Sequence, residues 1–280
     1  MGNLSRRDFL KVSTMAFGGS LLATVSILGL KNEVNDPTVI PVTVPIKNLK
    51  PALEGFTIAQ MTDIHLEPYT QVPLVEEAVE MTNQLKPDLV VLTGDFIWHW
   101  AESAFDLAPA LAKLNPRLGV YAVMGNHDYW KDIRVVDAAF SESGIPVLYN
   151  QGIAFSVGKE QLYLAGMDDG WAGKPDLEAA LSDAPAGAPV VLLLHEPDLA
   201  DLVVKRGGVD LQLSGHTHGG QVRVGGEKPI FLPYLGKKYD YGLYRVEDMW
   251  LYTNGGLGTI SVPYRLNCPP EITLFTLTAQ

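Results

Sequence analysis

Five short polar blocks follow apolar segments at intervals along the 280-residue chain. Each block supplies carboxylate, amide or imidazole groups, and together they hold five of the six histidines. The blocks are Asp63-Ile64-His65, Gly94-Asp95, Gly125-Asn126-His127-Asp128, His195-Glu196-Pro197 and Gly215-His216-Thr217-His218. Divalent manganese, iron and zinc accept mixed oxygen and imidazole ligands. The blocks therefore favour a fold that brings them together around metal ions.

Apolar runs predict a buried strand directly before four of the blocks, at residues 56–61, 88–93, 120–124 and 190–194. The spacing of apolar residues predicts helices between and after them, at residues 72–85, 105–114, 133–143 and 199–205. Apolar strands that alternate with helices indicate an α/β fold whose sheets are covered on both faces. Ligands of such sheets bind beyond the carboxyl ends of the strands. Four separate strands are thus expected to deliver their blocks to one rim.

Two pairs of short strands predict antiparallel hairpins later in the chain. Residues 152–157 and 161–165 flank one predicted turn, and residues 243–246 and 250–253 flank the other. Further strands are predicted at residues 211–213 and 272–277.

The formal net charge is −11, and residues 1–31 carry +3, so the remaining residues carry −14. A chain this acidic shows no basic face for nucleic-acid phosphates, which argues against a nucleic-acid partner. A small phosphorylated substrate is compatible with this charge, because bound dications dominate the local electric field. Cys268 is the single cysteine, which excludes an intramolecular disulfide and a cysteine-based metal site.

The N-terminal segment has the features of a twin-arginine export signal. Ser5-Arg6-Arg7-Asp8-Phe9-Leu10-Lys11 precedes an uncharged, moderately apolar stretch at residues 12–30. We therefore expect export by the twin-arginine translocase to the periplasm, the cell wall or the outer face of the cytoplasmic membrane. No good Ala-x-Ala cleavage site follows, and a helix of this length spans about 28 Å. Residues 1–31 are accordingly either a signal peptide or a membrane anchor.

Four prolines fall within residues 32–53, namely Pro37, Pro41, Pro45 and Pro51. Proline interrupts regular structure and favours turns and extended segments. Residues 32–53 are therefore expected to form an extended linker that leads into a folded domain at residues 54–280.

The five blocks, in this order, resemble the calcineurin-like metallophosphoesterase superfamily, whose pattern is D-x-H, G-D, G-N-H-[DE], H and G-H-x-H. All five elements are present between Asp63 and His218. The Gly219-Gly220-Gln221 continuation and residues 267–272 resemble the YkuE/YaeI-like branch. The resemblance implies an α/β fold of the four-layer αββα sandwich type, with two mixed sheets flanked by helices.

The resemblance also implies how the blocks share two divalent metal ions, with manganese, iron and zinc all left open. The ligands of the first ion would be Asp63, His65 and His218, and those of the second Asn126, His195 and His216. Asp95 would bridge the two ions, which agrees with its central place in the series.

His127 and Asp128 fall outside this coordination set and are candidate catalytic residues. His127 would either donate a proton to the leaving oxygen or contact the phosphate of the ground state. Asp128 would either orient His127 or tie down its loop. The Ser/Thr phosphatases of the superfamily have Asp and Arg where this chain has Trp98 and His99. A phosphoprotein phosphatase is therefore not expected, and the aspartate that would support the ring of His127 in those phosphatases is missing at position 98.

Other residues near the blocks have two interpretations. Four aromatic side chains either line the mouth of the site or simply pack, namely Trp98, Trp100, Tyr129 and Trp130. The Asn254-Gly255-Gly256-Leu257-Gly258 loop lacks a following helix, so it is a turn or a rim loop and not a dinucleotide-binding fingerprint. Asp168-Asp169 either positions substrate or forms a turn at the end of a strand.

The sequence favours an exported phosphohydrolase in which a hydroxide shared by two metal ions cleaves a phosphomonoester, phosphodiester or pyrophosphate bond. Its partner would be a small-molecule or lipid-linked phosphate ester. One alternative is a pyrophosphatase for a lipid-linked nucleotide of the UDP-diacylglucosamine type, although that substrate is cytoplasmic. The other is a non-catalytic metal-binding scaffold, although such scaffolds usually lose ligands and this chain has the full set.

Overall fold

A computed structural model describes residues 32–225 and 228–280, so the predicted export segment at residues 1–31 lies outside the described residues. The strands are β1 (Thr38–Ile46), β2 (Thr57–Met61), β3 (Leu89–Thr93), β4 (Val120–Val123), β5 (Gln151–Val157), β6 (Glu160–Gly166), β7 (Val190–Leu193), β8 (Leu211–Ser214), β9 (Arg223–Val224), β10 (Lys228–Pro229), β11 (Gly242–Val246), β12 (Met249–Thr253) and β13 (Glu271–Ala279). The helices are α1 (Val72–Leu85), α2 (Ala104–Leu111), α3 (Asn126–Glu142), α4 (Leu177–Ala180) and α5 (Ala200–Arg206). None of the helices in the described part of the chain is both long enough and apolar enough to cross a membrane.

The strands form two large mixed sheets. The first has the order β1-β13-β2-β3-β4, in which only the β13–β2 pairing is antiparallel. The second has the order β11-β12-β8-β7-β6-β5, with antiparallel hairpins at both edges and parallel pairing between. Both predicted hairpins are confirmed, and β9 and β10 form a separate two-stranded ribbon.

Alternating side chains of the strands enter different cores, which builds four layers. On β3, Leu89 and Val91 pack between the two sheets, whereas Val90 and Leu92 pack against α1, α2 and α3. On β7, Val191 and Leu193 also enter the space between the sheets. Its Leu192 packs on the outer side, in the core that includes residues of α4 and α5. The predicted αββα sandwich of two mixed sheets is confirmed.

Residues 32–53 correct one prediction, because they belong largely to the domain and not to a linker. β1 pairs in parallel with β13 along its whole length, from Thr38 opposite Glu271 to Ile46 opposite Ala279. Val44 and Ile46 are buried between the two sheets. Pro41 and Pro45 are tolerated because β1 is an edge strand, where a missing N–H need not break a ladder.

Helix α3 begins at Asn126, earlier than the apolar spacing predicts. The seven additional residues, 126–132, are mostly polar and carry no periodic apolar signal. Its N-terminus is held by Asp128, whose carboxylate accepts a hydrogen bond from the backbone N–H of Gly125 at 3.0 Å. The helix is interrupted at Asp132, whose backbone is extended (φ −166°), so the apolar part continues beyond this break.

Candidate metal centre

The polar blocks meet where the carboxyl ends of strands from both sheets face each other. Asp63 follows β2 and His216 follows β8, and the backbone N–H of His216 donates to the two carboxylate oxygens of Asp63 at 3.0 and 2.9 Å. The backbone N–H of Asp63 also donates to the carbonyl oxygen of Gly94 at 2.9 Å. The site is therefore assembled by loops of both sheets.

The structure gathers the predicted ligands into two groups. The ligand atoms within each group lie within 4.8 Å of one another; one group is Asp63, His65 and His218, and the other is Asp95, His195 and His216. All six residues are buried. Asp63 and the four histidines are divided as the family resemblance implied, and Asp95, the implied bridge, falls in the second group.

Asp95 belongs to the second group but also reaches the first. Its Oδ2 is 3.5 Å from Nε2 of His65 in the first group and 3.2 Å from Nε2 of His195 in the second. Its other oxygen, Oδ1, accepts the backbone N–H of His127 at 2.8 Å. One carboxylate oxygen thus faces both groups while the other is tied to the protein, as a bridging ligand requires.

Asn126 is the remaining residue of the ligand set that the resemblance implied for the second ion. Its side chain is buried, and within the residues that the structure describes its Oδ1 has no hydrogen-bond partner. The preceding Gly125 lets the chain approach closely, because a Cβ at this position would collide with the carboxylate of Asp95. Asn126 can therefore offer its amide oxygen as a ligand.

Backbone carbonyls fix which nitrogen of two histidines faces the centre. Nδ1 of His195 lies 2.6 Å from the carbonyl oxygen of Thr93, and Nε2 of His216 lies 2.7 Å from that of Tyr234. A ring N–H donated to a carbonyl leaves the opposite nitrogen with a free lone pair. Nε2 of His195 and Nδ1 of His216 are consequently the ligand atoms.

Several buried atoms at the centre have no hydrogen-bond partner in the described part of the chain. They are Nε2 of His65, His195 and His218, Nδ1 of His216 and Oδ1 of Asn126. A buried polar atom without a partner is costly, and proteins rarely tolerate several together. Their convergence shows that the residues present fit bound cations.

Burial also sets the protonation of the ligands. It lowers the pKa of His65 and His218 well below the usual range and that of His216 to about 3, so these rings are neutral and can coordinate. Burial raises the pKa of Asp63 to about 7. Although burial opposes ionisation of Asp95 as well, the surrounding imidazoles of His195 and His127 hold its pKa well below the usual range. Divalent cations would stabilise the charged forms of these buried carboxylates.

Backbone strain is concentrated at the same residues. The positive φ angles are 49° at Asp63, 48° at His65, 55° at Asp95, 74° at His216 and 54° at His218. Side chains with a Cβ rarely adopt this left-handed region, and each instance costs about 1–3 kcal/mol. The surrounding hydrogen bonds hold these residues in a geometry that serves the site.

His127 stands at the entrance of the centre, packed among rings. Its ring centroid is 4.8 Å from that of His65, 4.6 Å from Trp98 and 4.8 Å from Trp130. The indole of Trp98 occupies the sequence position where Ser/Thr phosphatases have Asp. The orientation of His127 is therefore set by aromatic packing and not by a carboxylate.

Asp128 has the second of its two expected roles, tying down the loop. It is fully buried, and its carboxylate accepts the backbone N–H groups of Gly125, Asp95 and Phe96 at 3.0, 3.0 and 2.9 Å. These bonds join the loops after β3 and β4. The interpretation of Asp128 as a catalytic residue is corrected, because all of its described bonds go to backbone groups and none to the ring of His127.

The loop at residues 254–258 is a rim loop of the metal centre. The backbone N–H groups of Leu257 and Gly258 donate to the carbonyl oxygens of Thr62 and Asp63 at 3.0 and 2.8 Å. Gly256 has a φ of +74°, and a Cβ there would lie 2.8 Å from the Cβ of Asp63. Of the two interpretations, a turn or a rim loop, the structure thus shows the rim loop.

Arg265 supports this loop from behind and was missed by the sequence analysis. Its side chain is fully buried, and its Nη2 donates to the carbonyl oxygens of Gly255 and Gly256 at 2.9 and 3.0 Å. The same Nη2 lies 3.3 Å from Nδ1 of His218. Arg265 and His218 are 47 positions apart in the sequence, so no local sequence pattern indicates their contact.

The C-terminal segment after Arg265 packs against the same place. The thiol of Cys268 donates to the carbonyl oxygen of His218 at 3.2 Å. Oε2 of Glu271 accepts the backbone N–H of Gly255 at 3.1 Å. The segment noted only for its family resemblance therefore lies directly behind one ligand.

Asp168 and Asp169 form a turn. Asp168 accepts the hydroxyl of Tyr129 and, at 2.8 Å, the backbone N–H of Lys174. Asp169 accepts the backbone N–H of Trp171 at 3.0 Å. Their bonds stay within the turn and its neighbours, which favours the structural interpretation.

Residues 56–220 match the calcineurin-like phosphoesterase family. The chain belongs to this family. It is 34% identical over 284 residues to the metallophosphoesterase YkuE of Bacillus subtilis (strain 168), with 99% of each chain covered. It is 33% identical to the phosphodiesterase YaeI of Escherichia coli (strain K12), over 79% of this chain and 82% of that one. The protein is accordingly a hydrolase of phosphoric esters.

A solved structure supports the fold. The 5′-nucleotidase precursor from Thermus thermophilus superimposes with a TM-score of 0.50 at 14% identity, covering 79% of this chain and 54% of that chain. At this identity the likeness shows the fold alone, and this chain spans about half the length of that protein.

Gly256→Ala tests whether the rim loop positions Asp63. The added Cβ would lie 2.8 Å from the Cβ of Asp63, so we expect weaker binding of one metal ion per chain. Gly187→Ala is a matched control, because Gly187 has a φ of +76° and open space around it. Both variants should lose about 1–2 kcal/mol of stability from left-handed strain. Metal analysis at a limiting metal concentration distinguishes the two variants. Equal metal content in both would contradict a role of the rim loop in positioning Asp63.

Proposed function

We propose that this protein is an exported phosphoesterase with two metal ions that cleaves a phosphoester or pyrophosphate bond at the outer side of the cytoplasmic membrane. The observation that carries the proposal is the position of Asp95 Oδ2, within 3.5 Å of an imidazole nitrogen of each ligand group. A carboxylate in this position is suited to hold two cations side by side.

Two bound divalent ions would neutralise phosphate oxygens and bring the pKa of water toward neutrality. The protein contributes fixed geometry. Asp95 holds the two halves of the centre together, and the carbonyls of Thr93 and Tyr234 fix two imidazole ligands. Because these groups are already in place, little reorganisation is needed when a phosphate enters.

The donor set favours manganese, iron or zinc. Four imidazoles combined with carboxylate and amide oxygens suit these ions, whereas magnesium and calcium prefer sites built of oxygen alone. The single cysteine, Cys268, donates to a backbone carbonyl and is not a ligand.

His127 is the candidate proton donor to the leaving oxygen. Burial lowers the pKa of its ring, and nearby Asp95 partly opposes this shift. A bound phosphate brings further negative charge to the entrance, which favours the protonated ring. His127 is therefore suited to carry a proton when substrate is present and to release it as the ester bond breaks.

Export and substrate are supported by the sequence and by a relative. The Arg6-Arg7 pair and the uncharged stretch after it have the pattern of a twin-arginine signal. The relative YaeI is named a phosphodiesterase, which places diesters among the substrates to test. A membrane-associated position would give access to lipid-linked as well as small-molecule phosphate esters.

A substrate panel tests the activity. We expect purified protein loaded with manganese, iron or zinc to hydrolyse aryl phosphomonoesters, bis-aryl phosphodiesters or nucleotide pyrophosphates. Hydrolysis confined to pyrophosphates would favour the nucleotide-lipid pyrophosphatase. Full metal loading with no hydrolysis of any ester would favour the non-catalytic scaffold and overturn the proposal.

Asp95→Asn tests the bridge. A neutral amide joins two cations poorly, so occupancy of both metal positions should fall. Turnover should drop by at least ~100-fold, since loss of even an outer partner of a ligand costs about 10–100-fold. Asp183→Asn removes an exposed carboxylate and should change neither quantity. Two metals per chain together with full activity in Asp95→Asn would refute the assignment.

His127→Ala tests proton donation. Turnover should slow by ~10²–10⁴ while both metals stay bound, as expected when a general acid is lost. The loss should shrink for aryl esters with good leaving groups, which need no proton. Metal analysis accompanies the kinetics. A variant that loses a metal ion, or slows equally on every leaving group, would show that His127 has another role.

Replacing Arg6 and Arg7 together by Lys tests the export route. The twin-arginine pathway moves folded proteins, so metal choice can precede transport and follow cytoplasmic availability. The Lys-Lys form should accumulate inside the cell as active, metal-loaded enzyme, because the pair precedes the folded domain. Activity assays on separated cell fractions measure this, and undiminished export would show that another route is used.

A further inference from the structure

A continuous chain of aromatic rings leads from the metal centre to the surface on both sides of His127. On one side His127 contacts Trp98, and His99 links that ring to Trp100 with centroids 5.4 and 5.6 Å apart. The chain continues on the other side from Trp130 to Trp171 at 4.8 Å and from Trp171 to Tyr234 at 5.3 Å. We call the exposed rings Trp100, Trp130, Trp171 and Tyr234, together with Phe231 three residues before Tyr234, the aromatic face.

The aromatic face concentrates indole groups at the surface. Four of the five tryptophans belong to this chain of rings, and the fifth, Trp250, donates to a backbone carbonyl between β12 and β1. Trp100 is 52% exposed and Trp130 48% exposed. Large aromatic side chains left half in solvent around a cleft mark a binding surface.

Exposed side chains without a polar atom also occur on the loop that carries Tyr234. Phe231 is 67% exposed, and the neighbouring Ile230 is also exposed. Their loop is connected to the centre, because the carbonyl oxygen of Tyr234 lies 2.7 Å from Nε2 of His216. Phe231 and Ile230 therefore belong to a loop that directly contacts one of the candidate metal ligands.

The first described residue lies near this loop. The side chain of Asn32 donates to the carbonyl oxygen of Pro263 and accepts the backbone N–H of Arg265. The next residue, Leu266, forms a bridge with Val222, and Val222 accepts the backbone N–H of Ile230 at 3.1 Å. Asn32, which directly follows the predicted export segment in the sequence, is thus linked through Arg265, Leu266 and Val222 to the loop that carries Phe231.

We infer that the aromatic face binds the headgroup region of a lipid bilayer and presents the metal centre to phosphate esters embedded in it. Tryptophan and tyrosine are suited to this region, because the ring is apolar while the N–H or O–H stays hydrated. Exposed Phe231 and Ile230 would insert more deeply. The inference rests on the proposed function and narrows its substrates to membrane-borne esters.

The bilayer explains the composition of the face better than a nucleotide does. A planar base would use the indoles but leave Phe231 and Ile230 in water. The uncharged, moderately apolar sequence at residues 12–30 is in addition nineteen residues long, and a helix of that length would reach about 28 Å, enough to enter a membrane. The exposed apolar side chains and the sequence before Asn32 both favour a lipid bilayer as the occupant of the aromatic face.

The test uses the full chain, the double variant Ile230→Ser/Phe231→Ser and the control Leu202→Ser. Leu202 is 59% exposed on α5 and lies outside the chain of ring contacts. One probe ester is a soluble bis-aryl phosphodiester. The other is an aryl phosphodiester of a long-chain alcohol in phosphatidylcholine–phosphatidylglycerol vesicles. None of the three substituted positions, 202, 230 and 231, belongs to the metal centre.

We expect the double variant to hydrolyse the vesicle-borne ester about tenfold more slowly, since burial of one large apolar side chain contributes about tenfold in partitioning. The double variant should hydrolyse the soluble ester within about twofold of the wild-type rate. Leu202→Ser should stay within about twofold of wild type on both esters. Equal effects on both esters, or none on the vesicle-borne ester, would overturn the inference.

Quenching of tryptophan fluorescence by brominated lipids gives a readout that needs no turnover. Four of the five tryptophans belong to the aromatic ring chain, so brominated vesicles should quench wild-type emission strongly and that of the double variant less. An absence of quenching, with concentration-dependent dimers instead, would assign the face to a second copy of the chain and overturn the inference. A wild-type protein that is quenched but hydrolyses neither ester would retain the face and reject the proposed function.

Discussion

Convergence of buried carboxylates and imidazoles at one edge of two sheets is the constraint on which the structure depends. Asp63 and Asp95 are taken out of water together with four histidines, at a desolvation cost of several kcal/mol for each charge. Hydrogen bonds within the protein satisfy only some of their atoms. Cations in the centre would satisfy the remainder, so metal binding and the stability of this edge are coupled.

The groups around the ligands explain how such a site keeps its shape. Carbonyl oxygens of Thr93 and Tyr234 orient two imidazoles, and Asp128 ties together the loops after β3 and β4. Arg265 does the same for the rim loop behind His218. These contacts offset the left-handed backbone at five ligand positions, and they join the metal centre to the loop that carries Phe231.

The sequence predicted those features that depend on local patterns. Apolar runs predict the strands. The polar residues directly after the strands predict the ligands, because parallel strands end at a common edge. The prolines of β1 favour a linker over a strand, and its pairing partner, β13, is at the far end of the chain. No local pattern therefore indicates that β1 is an edge strand. Arg265 and the packing of Trp98 on His127 depend on contacts between distant segments, which no local pattern contains.

The central claim is that two cations share Asp95, and anomalous diffraction from crystals grown with manganese tests it most directly. The account predicts two anomalous peaks per chain, each about 2.0–2.3 Å from its ligand atoms. The first should contact Asp63, His65 and His218, and the second Asn126, His195 and His216. Asp95 should contact both. A single peak, or two peaks of which only one contacts Asp95, would contradict the account.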